Sequence, residues 1–408
     1  MASIRKRGDS YRVTVSNGRD SSGRQLLETA TFRPDPSKTE KQNQKALEIF
    51  AFEFEQKVKS GKYLDGEKIS FKDFSEIWMK DYAAQHLEPT TADGYQVLLE
   101  VHILPALGNM KLSRIQPVHL NKLYNSMLQE RRDGKDGGYS PTTIKHVHAT
   151  ISSIMNTAVK WNILLDNPCD RVKPPKQARD IDDIKFFTLE ESSAFLQAID
   201  TDLAAGKIKL QFKVFFHLAL FCGMRRSEIV ALEWSDIDFT QNTITVNKAT
   251  VLVKGKPITK RPKNKTSVRT ISVPAPVMAL IRDYQRQQYR YRLSVGSYWE
   301  GDNYIFIQDN GRQMYPSTPY GVFKDIIHRY NRTAAVPLPD SPLHGLRHTS
   351  ATLLISQNID VRTVSGRLGH AQTSTTMNIY SHQLKKMDEK AADALDDLFS
   401  QKQALTKC

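Results

Sequence analysis

The start of the chain alternates between hydrophobic and polar positions, which is the period of a strand with one buried face. Residues 10–16 read Ser-Tyr-Arg-Val-Thr-Val-Ser, and the Asn17-Gly18 pair that follows is a turn signal. A second β-rich run covers residues 25–32. The pattern predicts three short strands within about residues 1–33.

The hydrophobic period changes to spacings of three and four after these strands. It predicts a helix through about Lys59, with Ala46, Ile49, Phe50 and Phe54 on one stripe. A polar stretch, residues 61–68, is typical of a linker. We therefore expect a first domain, residues 1–66, that consists of a three-stranded sheet and a helix.

The next segment carries only the helical period. Its first helix is predicted by one hydrophobic face, which contains Phe71, Phe74, Ile77 and Trp78. A later helix is predicted to begin at Pro141, because Ser140 before it is a preferred N-cap. Its stripe is Ile144, Val147, Ile151, Ile154 and Ala158. Residues 67–172 are thus expected to form an all-helical domain.

A polar, proline-marked stretch, residues 173–186, predicts a linker to the last domain. Thr188-Leu-Glu-Glu191 is a capping box that predicts a helix start. Residues 211–221 predict a core helix, residues 243–273 change to the strand period around a Gly255 turn, and helices return from about Pro319. The sequence predicts a multidomain α+β protein. Its last domain, residues 187–408, should be mainly helical with a small antiparallel sheet.

The charge of the chain favours a polyanionic partner. Lys and Arg number 58 against 44 Asp and Glu, a net charge of +14, and nucleic acid is the commonest partner of such a protein. A basic sheet can lie in a DNA groove, and exposed basic residues of a helix can contact phosphates. The DNA contacts expected from the first two domains are Arg5, Lys6, Arg7, Arg12 and Lys145.

Three isolated cysteines and no Cys-x-x-Cys pair predict neither a disulfide framework nor a metal site. No apolar run reaches the length of about 18 residues that a membrane span needs. The N-terminus also lacks the apolar segment of a signal peptide. These features favour a cytoplasmic protein without a metal ion.

Two basic patches stand out in the last domain, although the first by itself is more typical of a structural arginine near a helix start. Arg225 lies in Cys222-Gly-Met-Arg-Arg-Ser-Glu228, where the glycine permits a tight turn into a helix. Residues 248–269 hold eight basic residues and no acidic one, which fits a hairpin against a phosphate backbone. The DNA contacts expected from this hairpin are Lys260, Arg261 and Arg269.

Two further motifs contain histidine. His344-Gly-Leu-Arg347-His-Thr opens an amphipathic helix, and residues three apart share a helix face. The positive end of the helix dipole suits a bound phosphate. Leu368-Gly-His370 is followed ten positions later by Tyr380, in Ile-Tyr-Ser-His.

Together these motifs resemble the active site of the tyrosine recombinase (phage integrase) family, in the order Arg, Lys, His-x-x-Arg, His, Tyr. The resemblance covers all three domains. Within the family, the chain resembles integrases of Gram-positive conjugative transposons and their related phages. One departure is Gly366, where the family usually has an acidic residue. We expect this difference to affect packing more than chemistry.

The resemblance implies a site-specific recombinase that cleaves and rejoins DNA strands through a 3′-phosphotyrosyl intermediate and a Holliday junction, without metal, cofactor or ATP. Tyr380 is implied as the nucleophile and His344 as the group that accepts or relays its proton. Arg225 and Arg347 would bind the non-bridging phosphate oxygens, since each offers forked donors. His370 would contact the same phosphate.

The general acid is less determined. Alignment of Pro-Lys-Asn-Lys with the Pro-Lys-Thr-Lys of the family implies Lys263 as the general acid. Lys265 stays an alternative. The implied partner is double-stranded DNA at element ends, circular intermediates and target sites. It would be bound by a homo-tetramer, with DNA-bending or directionality proteins as further partners.

Two other functions remain open from the sequence: a type IB topoisomerase-like enzyme and a catalytically silent DNA-binding regulator. The tail carries a short amphipathic stripe, which could dock on its own domain or on a neighbouring copy. The residues of this stripe are Ala391, Ala392, Leu395, Leu398 and Phe399.

Overall fold

The computed structural model describes residues 2–19, 23–59, 68–176, 186–261 and 268–369. The chain divides into two units, Met1–Ala178 and Arg179–Cys408. Helices and small antiparallel sheets occur together, as the predicted α+β class requires. Within the described ranges, the structure contains no helix that is both long and apolar enough to cross a membrane. Most of the predicted linker, from residue 177 to 185, lies outside these ranges.

An antiparallel sheet opens the first unit. Its strands are β1 (Ser3–Arg7), β2 (Ser10–Arg19) and β3 (Gln25–Phe32), with β2 in the middle. The turn predicted at Asn17-Gly18 is wrong, because both residues lie inside β2. The pairing of β2 with β3 shifts register between Ser16 and Arg19, so the strand continues through an irregularity.

Helix α1 (Glu40–Lys59) covers one face of this sheet. The predicted stripe was partly wrong, since Ile49 is 51% exposed. The buried stripe is Leu47, Ala51, Phe54 and Val58, which packs against Val13 and Val15 of β2. Both stripes satisfy the helical period, and the position of the sheet selects between them.

The rest of the first unit is helical in the part that the structure describes. Its helices are α2 (Phe71–Trp78), α3 (Ala84–His86), α4 (Pro89–Leu98), α5 (Leu104–Leu107), α6 (Pro117–Gln129) and α7 (Pro141–Lys160). The π-helical turns Met79–Ala83 and Leu99–Ile103 join α2 to α3 and α4 to α5.

The two helices predicted from sequence in this segment are confirmed. Ser140 caps α7 by accepting from the Thr143 amide at 3.2 Å, and the predicted stripe of α7 is fully buried. Trp78 of α2 is also buried and donates to Thr157 of α7 at 2.9 Å. Ile77, expected on the same face, is instead 41% exposed.

The second unit begins with the predicted capping box. Thr188 accepts from the Glu191 amide at 3.1 Å, and the Glu191 carboxylate accepts from the Thr188 amide at 2.7 Å. The helices that follow are α8 (Leu189–Ala204), α9 (Leu210–Phe221), α10 (Arg226–Val230), α11 (Ala275–Val295), α12 (Thr318–Asn331), α13 (Gly345–Ser356) and α14 (Val361–Leu368). Helix α11 was not predicted from the sequence.

The strand period of residues 243–273 produces two small sheets. One contains β4 (Ile237–Asp238), β5 (Thr243–Val246) and β8 (Arg269–Ser272), in that order. The other is a hairpin of β6 (Ala249–Val253) and β7 (Lys256–Lys260), which turns at Lys254 and Gly255 with φ of +48° and +74°. Helix α9 lies in the main core of this unit, with Val214, Phe215 and Phe216 fully buried.

Candidate active site

The site begins at the tight turn between α9 and α10, where Gly223 has a φ of +60°. A Cβ atom on this glycine would lie 2.5 Å from Cδ2 of Leu368. Both observations require glycine, because an L side chain would be strained and would collide. The turn therefore brings the start of α10 against the end of α14.

Arg225 precedes α10 and is fixed by Glu228 of the same motif. Glu228 accepts from the Arg225 amide at 2.9 Å and from Arg225 Nη1 at 2.8 Å. The Arg225 side chain remains 35% exposed, while that of Glu228 is 8% exposed. A second terminal nitrogen, Nη2 of Arg225, donates to the Gly369 carbonyl at 3.3 Å. These contacts give the guanidinium a set orientation.

Arg347 of α13 is almost completely buried, with 2% of its surface exposed. Its Nη1 donates to the Gly223 carbonyl at 2.6 Å, and its Nη2 donates to the Leu368 carbonyl at 2.7 Å. Arg347 is therefore bound both to the turn that precedes Arg225 and to the end of α14, beside the Gly369 carbonyl that Arg225 binds.

His344 lies at the start of α13, with its ring 4.9 Å from that of His348 and nearly perpendicular to it. Removal of solvent from around the imidazole, together with the charges of Arg347 and Arg225, holds the pKa of His344 below its ordinary value. The side chain nevertheless keeps an exposed edge. An unprotonated imidazole near neutral pH can accept a proton.

Arg225, His344 and Arg347 all line one cavity of about 380 Å³. Arg226 and Tyr320 also border it. A larger cavity of about 640 Å³ elsewhere in the second unit contains none of the three. The structure thus brings together three of the six predicted catalytic residues, although Arg225 is more than a hundred positions before His344 and Arg347 in sequence.

The other predicted catalytic residues lie outside the described ranges. These are Lys263, its alternative Lys265, His370 and Tyr380. The amphipathic stripe of the tail lies outside them as well.

The basic hairpin is less uniformly positive than its sequence indicates. Lys248 is paired with Glu233 at 2.9 Å and with Asp236 at 3.0 Å. Arg269 was also predicted to contact DNA, and the structure shows its side chain bound to the protein. Its side chain is 7% exposed and pairs with Glu228 at 2.8 Å. The three acidic partners come from other segments of the second unit, which is why the charge run alone did not reveal them.

The other predicted DNA contacts of the hairpin lie at its open end. Lys260 ends β7 and is partly buried, and Arg261 follows it and is exposed. Their contact with DNA stays a prediction.

The predicted DNA contacts in the N-terminal sheet lie on its two faces, and that of the helical segment lies on α7. Arg5 and Arg12 lie opposite each other in β1 and β2, and strand alternation places Arg7 on their face. Lys6 pairs with Tyr11 on the α1 side, with its ammonium 6.0 Å from the ring centre. Lys145 is exposed on α7.

Sequence reasoning missed Glu228 as a functional residue. It stood in the quoted motif without a role, and the structure shows it as the group that binds Arg225. The available signal was an acidic residue three positions after the arginine at a helix start, where it can accept from the backbone of the first turn.

Comparisons with known proteins place this site in a family. Residues 185–387 match the phage integrase family, and residues 70–128 match the N-terminal SAM-like domain of phage integrases. The ICEBs1 integrase of Bacillus subtilis is 32% identical over 270 residues, which cover 66% of this chain and 69% of that protein. The chain belongs to the phage integrase family of tyrosine recombinases. It is therefore a DNA-cleaving and rejoining enzyme.

One other relative supports the same assignment for this recombinase, and a solved structure shares its fold. A XerC-like tyrosine recombinase of Caldanaerobacter subterraneus is 29% identical over 406 residues, 95% of this chain and 96% of the relative. The Tn1549 transposon integrase, in complex with transposon right end DNA, shares the fold with a TM-score of 0.65. It is 19% identical, and the match covers 79% of this chain and all of that one.

Proposed function

We propose that this recombinase exchanges DNA strands at specific sites through a temporary covalent bond between Tyr380 and a DNA phosphate. The observation that carries the proposal is the convergence of Arg225, His344 and Arg347 on one cavity. All three lie within the range that matches the phage integrase family, and Tyr380 lies in that range too. Exchange between two duplexes by this route passes through a Holliday junction.

The two arginines suit the charge that develops during phosphoryl transfer. A pentacovalent phosphate carries extra negative charge on its non-bridging oxygens, which forked N–H donors can bind. Each terminal nitrogen of a guanidinium has two N–H groups. Arg347 uses one N–H group of Nη1 for the Gly223 carbonyl and one of Nη2 for the Leu368 carbonyl. Arg225 uses one N–H group of Nη2 for the Gly369 carbonyl. The second N–H group of Arg225 Nη2 can then serve a phosphate oxygen.

The proposed cleavage step moves two protons. The Tyr380 oxygen forms a bond to phosphorus while the bond from phosphorus to the 5′-oxygen breaks. His344 takes the tyrosine proton, and Lys263, or alternatively Lys265, gives a proton to the departing 5′-oxygen. The products are a 3′-phosphotyrosyl bond and a 5′-hydroxyl, and rejoining is the reverse.

His370 would contact the same phosphate and fix its position. The covalent bond conserves the energy of the phosphodiester, so the step needs no ATP. The arginines supply the positive charge for which most nucleases use a metal ion.

The proposed partner is double-stranded DNA at element ends, circular intermediates and target sites. The lambda integrase tetramer bound to a Holliday junction shares the fold, with a TM-score of 0.55 and 15% identity over 91% of this chain and 96% of that one. This likeness supports the proposal of a homo-tetramer on DNA. DNA-bending or directionality proteins are proposed as further partners because the motifs resemble those of integrases. We assign arm-type DNA binding to residues 1–66, core binding to residues 67–172 and catalysis to residues 187–408.

Replacement Tyr380→Phe tests the proposal, because phenylalanine lacks only the attacking oxygen. On nicked duplexes tiled across the ends of the parent element, the unmodified protein should form a covalent adduct. The variant should bind the same DNA and form none. An adduct in the variant would assign the nucleophile elsewhere. An unmodified protein that binds without an adduct would support the silent regulator, and relaxation of plasmid without element ends would favour the topoisomerase-like enzyme.

A further inference from the structure

The side chain of Arg269 is buried beside the proposed site, and its guanidinium binds two different segments of the chain. It begins strand β8, and its Nη1 and Nη2 donate to the two oxygens of Glu228 at 3.2 and 2.8 Å. Its Nε donates to the Arg367 carbonyl at 2.8 Å. A forked pair of this kind is directional, because the planar guanidinium matches the carboxylate only in one orientation.

The carboxylate that Arg269 binds is the one that orients Arg225. Oε1 of Glu228 accepts from Nη1 of both arginines, and Oε2 accepts from Arg269 Nη2 and from the Arg225 amide. Burial acts to raise the pKa of Glu228, but the hydrogen bond and charge of Arg269, together with those of Arg225, outweigh it and leave the pKa below its ordinary value. The carboxylate therefore stays charged between a buried arginine and a partly exposed one.

Arg269 also belongs to a set of three arginines that bind the end of α14. The successive carbonyls of Arg367, Leu368 and Gly369 accept from Arg269, Arg347 and Arg225 respectively. Helix ends leave such carbonyls without partners inside the helix, and the helix dipole makes them negative. Of these three donors, Arg269 is the one to which the proposed cleavage step gives no role.

Gly369 fits directly over Arg269. The glycine has a φ of +69°, and a Cβ atom there would lie 2.8 Å from Arg269 Nη1 and 3.1 Å from its Cζ. At Gly369, the last residue before His370, the backbone therefore passes so close to the guanidinium that no side chain would fit between them. Arg269 thus contacts both segments that border the candidate phosphate site.

We propose that Arg269 is a positioning residue for strand cleavage: it holds Glu228 so that Arg225 faces the DNA phosphate, and it holds the chain that leads into His370. The inference rests on the proposed function, because it assigns Arg269 a part in that reaction. Arg269 itself does not touch the phosphate. Its loss should therefore slow the cleavage step and leave DNA affinity nearly unchanged.

The test compares Arg269→Gln with a matched buried ion pair elsewhere in the second unit. Arg329 donates from Nε and Nη2 to Asp202 Oδ2 at 2.9 and 2.7 Å, with 28% of the Arg329 side chain and 7% of that of Asp202 exposed. Arg329→Gln removes the same kind of pair but borders neither Arg225 nor α14. Thermal melting of both variants reports any loss of stability, and single-turnover adduct formation on the nicked duplex reports the cleavage rate.

Arg269→Gln should lower the rate constant of adduct formation by about tenfold or more and change the Kd for DNA by less than about threefold. Arg329→Gln should keep the parental rate constant at a comparable melting temperature. In an Arg225→Lys background, Arg269→Gln should cost less than about threefold, because residues that act through one another are not additive. A partly unfolded sample would instead lower the yield of adduct and not its rate constant.

Three outcomes would overturn the inference. Arg269→Gln could cleave at the parental rate, it could lose the same factor with and without Arg225→Lys, or Arg329→Gln could lose as much. If Arg269→Gln does not fold, Arg269→Lys decides by the same criteria, since lysine keeps the charge but lacks the fork. If the unmodified protein forms no adduct, the proposed function fails and this inference fails with it. If the unmodified protein does form an adduct, the proposed function stands, and the Arg269 variants test this inference alone.

Discussion

His348 lies one helical turn after the candidate catalytic histidine and has a different environment. Burial first, and then the nearby His344 and Arg347, lower the pKa of His348 to about 4. The motif His-x-x-Arg-His therefore combines an imidazole with an exposed edge, which suits proton transfer, and a more deeply packed one. Neighbours along α13 have different roles because the helix turns them toward different surroundings.

This packed imidazole should make the stability of the second unit depend on pH. In the unfolded chain the pKa of histidine is about 6.5, so between about pH 6.5 and pH 4 only the unfolded chain binds the proton. The stability that His348 contributes is therefore complete above pH 6.5 and is lost as the pH falls toward 4. At about pH 5 the loss should be about 1–2 kcal/mol.

Denaturant unfolding at about pH 7 and about pH 5 measures this effect. The decrease in unfolding free energy should be smaller in His348→Gln than in the unmodified protein. His328→Gln, which changes an exposed histidine of α12, is the control. An unchanged pH dependence in His348→Gln would show that this imidazole is not the group that titrates.

At the scale of elements, the site depends on how closely the turn after α9 approaches the end of α14. Gly223 combines a left-handed backbone with a short distance to Leu368, whose carbonyl binds Arg347. Gly206, after α8, has a similar φ of +68° but has no atom within 4 Å of the position of a Cβ. A side chain at Gly206 would thus meet backbone strain alone, whereas one at Gly223 would meet both backbone strain and a steric clash.

Replacement by alanine should affect these glycines unequally. Gly206→Ala should cost about 1–2 kcal/mol, which is the strain of a left-handed L-residue. Gly223→Ala should cost about 1–3 kcal/mol more, because its methyl group displaces Leu368. Gly223→Ala should also lose adduct formation, whereas Gly206→Ala should retain it. Denaturant unfolding and the nicked-duplex assay measure the two effects, and equal costs would mean that the Leu368 contact is easily relieved.

At the scale of the whole molecule, the excess positive charge includes an outward-facing patch on the N-terminal sheet. Arg5 and Arg12 lie directly opposite each other, an arrangement of like charges that destabilises a sheet. An anionic partner on that face would remove the repulsion. Lys6 is a neighbouring positive charge that lies on the other face of the sheet, beside Tyr11.

The salt dependence of DNA binding should distinguish the two faces. Arg12→Gln should reduce the slope of log K against log salt by about 1 on a random-sequence duplex, because one phosphate contact and its released counterion are lost. Lys6→Gln should leave the slope nearly unchanged. A larger change for Lys6→Gln than for Arg12→Gln would show that the DNA lies on the α1 side of the sheet.

The sequence by itself determined the features that depend on residues a few positions apart. The Ser140 and Thr188 caps and the buried stripe of α7 were predicted correctly, because an N-cap and a helical stripe involve neighbours within about four residues. The order of the motifs also indicated the family, since Arg225, His344 and Arg347 were found from the residues beside them. The predicted stripe of α1 was partly wrong, because two stripes fit its hydrophobic period.

Only the tertiary structure decided which distant groups meet. Arg269 belongs to a basic run in sequence, yet it is bound to Glu228, which lies 41 positions earlier, and to the Arg367 carbonyl, which lies 98 positions later. The partner of a charged side chain depends on which elements pack beside it, and no local pattern encodes that choice. For the same reason, the convergence of three arginines on the carbonyl end of α14 follows from the packing of strand β8, helix α13 and the α9–α10 turn around one helix end.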